Sequence, residues 1–256
     1  MRFSESGIEW FQQDNRNRPV RQDRRKEATM LIREWMTRNV ITVTPDTSMM
    51  KASKLMKENG FRRLPVLDGN GKLIGIVSDR DIKEASPSKA TTLDMHELYY
   101  LLSEIKVKDI MTRDPICVQP DETVERVALL MIEKHIGGMP VVDEEGQLVG
   151  IITDSDIFKV LIAITGVRSG GVQFAFELEN KPGTLKPIID TLRELNASID
   201  AILTSDQTGS DDTRRVFIRI VPMDRAEENR VIEAIKEKFP LLYWARARVH
   251  EMERPA

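Results

Sequence analysis

The sequence predicts a chain of mixed class, α/β in its first part and α+β in its last, in which two βαββα units share a core and a ferredoxin-like βαββαβ domain follows. Three observations support this prediction. One block of sequence recurs at a constant spacing, and the periodicity of the apolar residues changes after Gly166. The length of 256 residues, with 41% hydrophobic and 31% charged residues, suits two compact domains better than one core or a disordered chain.

The repeat is long enough to define both copies. Met36-Thr37-Arg38 returns as Met111-Thr112-Arg113, and the same spacing relates Asp81 to Asp156 with no gap between them. A match of this length does not arise by chance, so the chain contains two copies of one structural unit.

The first copy shows the order of its elements. An extended segment at residues 41–43 precedes apolar residues at helical spacing, and Asn59-Gly60 ends that helix. Two apolar strands follow at residues 64–67 and 73–77, and a second helix begins near Asp79. A unit of about 50 residues is too small to be stable alone, so we expect the two copies to share a core.

The same patterns set the expected domain limits. We expect the copies at residues 30–85 and 106–166, joined by a linker helix at residues 86–105 whose leucines have helical spacing. Residues 1–29 mix basic and acidic side chains without an apolar period and predict a flexible N-terminal extension. The last domain is expected at residues 171–250.

Two elements of each copy resemble the cystathionine beta-synthase (CBS) domain. The first is glycine, two apolar residues, serine or threonine, two variable residues and aspartate, at residues 75–81 and 150–156. The second is the strand that contains Leu64-Pro65-Val66 in one copy and Met139-Pro140-Val141 in the other. The resemblance covers roughly residues 30–165. It implies a flat module whose clefts bind an adenine nucleotide, namely AMP, ADP or ATP.

Four polar residues of these motifs are candidates for nucleotide binding. Ser78 and Thr153 lie where a strand gives way to a helix, and free N–H groups and the helix dipole attract phosphate there. Asp81 and Asp156 lie three residues further on, where a carboxylate can accept hydrogen bonds from a ribose diol. The alternative is that the hydroxyl residues are helix caps and the aspartates complement the helix dipole.

The copies differ in charge just before the Pro-Val strand. Arg62-Arg63 in the first copy becomes Gly137-Gly138 in the second. The resemblance to CBS domains implies that Arg62 or Arg63 contacts the nucleotide phosphates, which suits the geometry of a guanidinium group. Arg80 is a further phosphate candidate. A solvated pair of arginines on a loop is the alternative interpretation.

The region after Gly166 alternates strands and helices in the order βαββαβ. Its loop Asn180-Lys181-Pro182-Gly183 resembles the loop that joins the first strand and helix of the ACT domain. That resemblance implies edge-to-edge dimerisation and an amino-acid ligand at the interface near Asn180, Pro182 and Gly183. A turn that merely starts the helix is the alternative. The whole domain order resembles bacterial acetoin utilization proteins.

Composition and motif searches narrow the function classes. The net charge of −3 gives no overall basic field for nucleic acid or anionic lipid. We expect no signal peptide and no membrane span, and we expect Cys117 to be a buried structural thiol, which fits a cytoplasmic protein. The three histidines are scattered and predict no metal site. No serine or cysteine lies in a motif that would place it beside a general base, so the sequence does not indicate catalysis.

The sequence therefore predicts a non-enzymatic regulatory sensor. We expect adenine nucleotide at the CBS pair, an amino acid or another small ligand at the ACT domain, a homodimer and a target protein that the sequence does not identify. Regulation of acetoin catabolism is implied by the resemblance. The alternative function is a transcriptional or nucleic-acid-binding regulator that acts through the basic residues of the N-terminal extension.

Overall fold

The structure is a computed structural model that describes residues 30–86, 104–206 and 212–247. The predicted N-terminal extension, most of the predicted linker helix and most of the loop before Thr213 lie outside the described residues. Within the described ranges, no helix combines the length and the apolar character needed to cross a membrane.

Both copies of the repeat form the predicted helices and the two later strands, whereas the extended segment expected to open each unit makes only one isolated bridge, Val43 to Val66 and Val118 to Val141. The first copy consists of α1 (Ile32–Trp35), α2 (Met49–Asn59), β1 (Arg63–Leu67), β2 (Leu73–Ser78) and α3 (Asp79–Ala85). The second consists of α4 (Val107–Ile110), β3 (Thr112–Arg113), α5 (Val124–Lys134), β4 (Gly138–Val142), β5 (Leu148–Thr153) and α6 (Asp154–Ile164). The prediction of two units of the same type is confirmed. Helix α6 has 11 residues against 7 in α3.

The long helices of the two copies begin and end in the same way. The side chain of Ser48 accepts a hydrogen bond from the Lys51 backbone N–H at the start of α2, as the side chain of Thr123 does from Arg126 at the start of α5. These are N-caps of the ordinary kind. Gly60 ends α2 with a left-handed φ of 67°, as the sequence predicts.

The two copies exchange the segments that precede their strands. Thr37 of the first copy lies opposite Ile151 in the second copy, and Thr112 lies opposite Ile76 in the first. The two segments come so close that a β-carbon at Gly150 would lie 2.5 Å from the Met36 sulfur and 3.1 Å from the Thr37 carbonyl oxygen. Each copy is therefore completed by strand contacts from the other.

The hydrophobic cores follow the same exchange. Ile32 of the first copy is buried in the cluster of the second, and Val107 of the second copy is buried in the cluster of the first. The expectation that both copies share one core is thus corrected, because their described residues form two clusters. The expected limits at residues 30–85 and 106–166 describe the repeat in the sequence. In the structure, Ile32 and Val107 each pack in the core of the other copy.

The C-terminal region forms a four-stranded antiparallel sheet with two helices. Its elements are β6 (Val172–Glu179), α7 (Lys186–Glu194), β7 (Ile199–Ser205), β8 (Thr213–Ile220), α8 (Arg225–Lys238) and β9 (Leu241–Arg246). The strand order β7-β8-β6-β9 is that of the ferredoxin-like plan, so the predicted βαββαβ topology is confirmed. Buried residues of both helices, such as Ile188 and Ile235, pack on Phe174 and Ile218 of the sheet.

A buried arginine joins the two regions. Arg219 on β8 is only 7% exposed. Its guanidinium donates hydrogen bonds to the carbonyl oxygen of Thr165 at 2.7 Å, that of Gly170 at 3.2 Å and Oε1 of Gln173 at 2.6 Å. Burial lowers the pKa of Arg219, and the nearby Asp200 opposes that effect. The end of α6 is therefore held to the C-terminal sheet.

Cys117 is less buried than the sequence predicts. The residue is half-buried, and its thiol donates a hydrogen bond to the Pro115 carbonyl oxygen at 3.2 Å. Partial burial raises the pKa of the thiol. The segment at residues 115–117 lies at the surface of the second copy, where an apolar stretch is only partly covered.

Candidate functional site

A cleft of about 330 Å³ lies between the two copies. The first copy lines it with residues of segments 37–41 and 60–63, and the second copy lines it with residues of segment 151–159. A cavity of this size falls in the range that small-molecule ligands occupy. Four predicted site residues, Arg62, Arg63, Thr153 and Asp156, come together here from different copies.

Arg63 reaches across the cleft to the second copy. A β-carbon at Gly137 would collide with the Arg63 guanidinium group, and a β-carbon at Gly138 would lie 3.2 Å from Arg63 Cδ. The glycine pair that replaces the two arginines in the second copy therefore leaves the space that Arg63 fills. The change from arginine to glycine between the copies therefore explains how the Arg63 side chain fits against the second copy.

Arg62 and Arg63 also lie near a carboxylate of their own copy. The backbone N–H of Asp79 donates to the Arg62 carbonyl oxygen at 2.9 Å, which fixes this loop on the start of α3. A hydrogen bond from Lys83 lowers the pKa of Asp79, and the charges of Lys83, Arg62 and Arg63 lower it further. Lys83 is therefore the main cause of the lowered pKa of Asp79, and the two arginines of the loop add to it.

The buried carboxylate of the cleft is Asp156, which is 3% exposed. Its Oδ2 accepts hydrogen bonds from the Thr153 backbone N–H at 3.1 Å and from the Thr153 hydroxyl at 2.7 Å. Its Oδ1 accepts a hydrogen bond from Lys159 Nζ at 2.7 Å. Asp156 thus stabilises the start of α6 and places a carboxylate at the wall of the cleft.

The matching residues of the first copy form the same cap but do not line this cleft. Asp81 Oδ2 accepts from the Ser78 backbone N–H at 2.7 Å and from the Ser78 hydroxyl at 2.8 Å. Arg80 follows in the first turn of α3 and is exposed. The capping alternative is therefore observed at both copies. The ribose role of the aspartates stays a prediction, which capping does not exclude because a carboxylate accepts several hydrogen bonds.

Lys159 lines the cleft but is not among the residues that the sequence motifs predict for the site. Its ammonium group lies in the cleft wall on Asp156, and its side chain is 62% exposed. A comparison of the copies could have found it, because the equivalent residue of the first copy is Glu84. The cleft therefore combines three cations, Arg62, Arg63 and Lys159, with the carboxylates of Asp154 and Asp156.

Other predicted site residues lie outside the cleft. Gly183 has a left-handed φ of 88° and open space around its α-carbon, and the Asn180 backbone N–H donates to the Asp212 carbonyl oxygen at 2.8 Å. Neither these residues nor Pro182 line the cleft. In the part of the chain that the structure describes, no group of three or more His, Cys, Asp or Glu residues could hold a metal ion.

The chain was compared with known proteins. The sequence profile of the CBS domain matches residues 32–88 and 107–163. A CBS domain-containing protein of Dictyostelium discoideum is 33% identical over 135 residues, which cover 53% of this chain and 93% of the relative. An inosine-5'-monophosphate dehydrogenase of Korarchaeum cryptofilum is 37% identical over 132 residues, but the match spans only 24% of that enzyme.

Two solved structures are similar in the same region. The structure of CBSX2 in complex with AMP has 33% identity and a TM-score of 0.44, and it covers 54% of this chain and 99% of that one. A protein of Vibrio cholerae assigned to acetoin utilization has 32% identity and a TM-score of 0.45, and it covers 54% of this chain and 94% of that one. The exchanged repeat, the paired motifs and the near-complete match to the Dictyostelium protein agree on one conclusion. The chain belongs to the family of CBS domain-containing proteins.

Proposed function

We propose that the chain is a non-enzymatic regulatory sensor whose CBS pair binds AMP, ADP or ATP in the cleft between the copies. One observation carries this proposal: three cations and a buried carboxylate at a helix N-terminus surround a single cavity of about 330 Å³. A nucleotide has the complementary chemistry, an anionic phosphate joined to a ribose diol and an apolar base. The resemblance of both copies to CBS domains gives the adenine nucleotide as the expected ligand.

The cleft suggests one orientation for the ligand. The phosphates lie toward Arg62 and Arg63, because a guanidinium fork matches phosphate oxygens and the start of α6 adds N–H groups. The ribose hydroxyls donate to Asp156. The base then lies toward Val40, Ile41 and Phe61, the apolar part of the lining.

Lys159 has two roles in this proposal. Its ammonium donates a hydrogen bond to Asp156 Oδ1 at 2.7 Å. A ribose diol competes for the same carboxylate oxygen, so binding releases Lys159, whose exposed side chain then turns to the phosphates. This change breaks the ion pair between Lys159 and Asp156 and forms one between Lys159 and the phosphates. It therefore favours ligands that carry a negative charge.

Helix α6 provides a route from the cleft to the C-terminal domain. Its first turn holds Asp154, Ser155 and Asp156 in the cleft wall, and its end leads to Thr165, whose carbonyl accepts the hydrogen bond from Arg219. A shift of the helix on ligand binding therefore acts directly on the junction. This is the element through which we propose that nucleotide binding is communicated.

We propose that the C-terminal domain, residues 171–250, is an ACT domain that pairs two chains and takes an amino acid or another small ligand near Asn180, Pro182 and Gly183. Among the described residues, strands β7 and β9 form the edges of the sheet, and a sheet edge is where a second chain can add a strand. Sedimentation of the full chain and of a truncation after Gly166 tests the pairing. Equal association constants would remove this domain from the dimer.

The regulated process proposed from the resemblance is acetoin catabolism. A thermal-shift screen of nucleotides and amino acids, run on the full chain, tests both ligand proposals together. Ligand at about 100 times its dissociation constant stabilises a protein by about 2.7 kcal/mol, which raises the melting temperature by several degrees. A nucleotide shift without an amino-acid shift would keep the cleft proposal and end the proposal for the C-terminal domain.

A further inference from the structure

Asp154 brings a second carboxylate to the cleft wall. Its Oδ1 accepts hydrogen bonds from the Ser155 backbone N–H at 2.6 Å and from the Ser155 hydroxyl at 3.3 Å. Its Oδ2 faces the gap that the Arg63 guanidinium fills, because a β-carbon at Gly137 would collide with that group and lie 3.0 Å from Oδ2. Among the described residues, none donates a hydrogen bond to Oδ2 or forms an ion pair with it. Asp154 therefore places an unpaired negative charge where we propose that the phosphates lie.

The first copy carries the same aspartate with its charge paired. Asp79 is the equivalent residue at the start of α3, and Lys83 Nζ donates to its Oδ2 at 2.8 Å. In the second copy the position of Lys83 is taken by Phe158, which is 61% exposed and has no charge. A carboxylate in the first turn suits the helix dipole in both copies. Of the two aspartates, however, only Asp154 lacks the lysine partner and lines the cleft, which the start of a helix does not require.

The charges that face the phosphates match one phosphate group. Arg62, Arg63 and the Lys159 released from Asp156 supply three positive charges, against one negative charge from Asp154, which leaves a net of two positive charges. A phosphate monoester carries about −1.5 to −2 charges at pH 7, so a nucleoside monophosphate balances this net charge. Further phosphate groups add negative charge that no other cation among the lining residues meets and that Asp154 repels.

We infer that Asp154 determines how many phosphate groups the cleft accepts, and that it makes the chain a sensor of AMP rather than of ATP. The inference rests on the proposed nucleotide function and names the ligand within it. Near a protein surface, two like charges a few ångströms apart repel strongly enough to change a binding constant by about tenfold or more. Asp154 therefore sets specificity through its charge, whereas the ribose and the base depend on other residues of the cleft.

Asp154→Asn removes this charge and nearly keeps the shape of the side chain. Calorimetric titration of the full chain with AMP, ATP and adenosine is made without divalent cations, because Mg²⁺ binds phosphates and would offset part of the charge of ATP. The wild type should bind AMP more tightly than ATP. In the variant, the dissociation constant of ATP divided by that of AMP should fall by about tenfold or more. Adenosine has no charge and should bind as in the wild type.

Phe158→Lys tests the inference without a change at Asp154. It gives Asp154 the lysine partner, four residues along the helix, that Asp79 has in the first copy. Phe158 is exposed, so the chain should fold normally, and the ratio of the two dissociation constants should fall in this variant too. Glu145→Gln is the control, because it removes one negative charge at an exposed position outside the cleft. Its ratio should equal that of the wild type.

The titrations separate this inference from the proposed function. An unchanged ratio in Asp154→Asn or in Phe158→Lys would overturn the inference and leave the nucleotide site in place. An equal fall in Glu145→Gln, or tighter binding of ATP than of AMP by the wild type, would have the same consequence. Absence of binding by AMP, ATP and adenosine alike would overturn the proposed function and this inference with it.

Discussion

The guanidinium group of Arg63 occupies the space in which a side chain at Gly137 would lie. One copy of the repeat therefore supplies an arginine, and the other copy supplies the gap that admits it. This pairing makes the two copies unequal at the cleft, although their helices and strands match along the repeat.

Replacing Arg62 and Arg63 by alanine should weaken the binding of ATP more than the binding of adenosine. A lost charged hydrogen bond is worth about 1.5–3 kcal/mol, so we expect a loss of about 10- to 100-fold or more for ATP and little change for adenosine. Isothermal titration of both ligands measures the difference. Arg126→Ala, an exposed arginine away from the cleft, is the control. Equal losses for the two ligands would show that the pair does not contact phosphate.

Gly137→Ala should act through Arg63. The added methyl group forces the guanidinium to move, so ATP binding is expected to weaken in the wild type but not in an Arg63→Ala background. This double-mutant cycle isolates the coupling between the two positions. The unfolding free energy should fall by less than about 1 kcal/mol, because the displaced group is the end of a flexible side chain. The same loss of ATP affinity in both backgrounds would contradict the account.

Asp156→Asn and Asp81→Asn form a matched pair, because both aspartates cap a helix through the same contacts. Each variant should lose about 1–3 kcal/mol of stability in a denaturant titration, because it replaces a carboxylate that accepts two hydrogen bonds. Of the two, Asp156 alone lines the cleft. Asp156→Asn should therefore weaken the binding of AMP, ADP, ATP and adenosine to a similar extent. Asp81→Asn should not change the affinity of the cleft for its nucleotide. Unchanged binding by Asp156→Asn would remove the ribose role.

Arg219→Met should loosen the junction between the CBS pair and the C-terminal sheet. The variant leaves the carbonyl oxygens of Thr165 and Gly170 without their buried donor, which costs about 3 kcal/mol. Hydrogen exchange at residues 166–170 should become faster, whereas exchange in α2 should not change. Arg219→Lys keeps the charge but lacks the planar guanidinium group. Its exchange rates at residues 166–170 should lie between those of the wild type and those of Arg219→Met. Wild-type exchange rates in Arg219→Met would show that the arginine does not hold the junction.

The repeat made most of the first two domains predictable, because a gapless match transfers every element from one copy to the other. It could not predict the exchange of Ile32 and Val107, since similar segments fit the core of either copy. The change from Arg62-Arg63 to Gly137-Gly138 indicated that only the first copy supplies arginines beside the Pro-Val strand. That the glycines make room for Arg63 depends on contacts between copies, which local sequence patterns do not contain. Lys159 was not predicted because it lies beyond the recurring motif, which ends at Asp156.

Calorimetric titration of the full chain with AMP, ADP and ATP shows whether the cleft between the copies binds an adenine nucleotide. We expect saturable heat for at least one of them, one binding site per chain, an affinity that depends on the number of phosphates, and competition between the nucleotides. Binding at that site should be weakened by Asp156→Asn and by the replacement of Arg62 and Arg63 by alanine. Absence of heat with all three nucleotides at millimolar concentration, together with an unchanged melting temperature, would contradict the account.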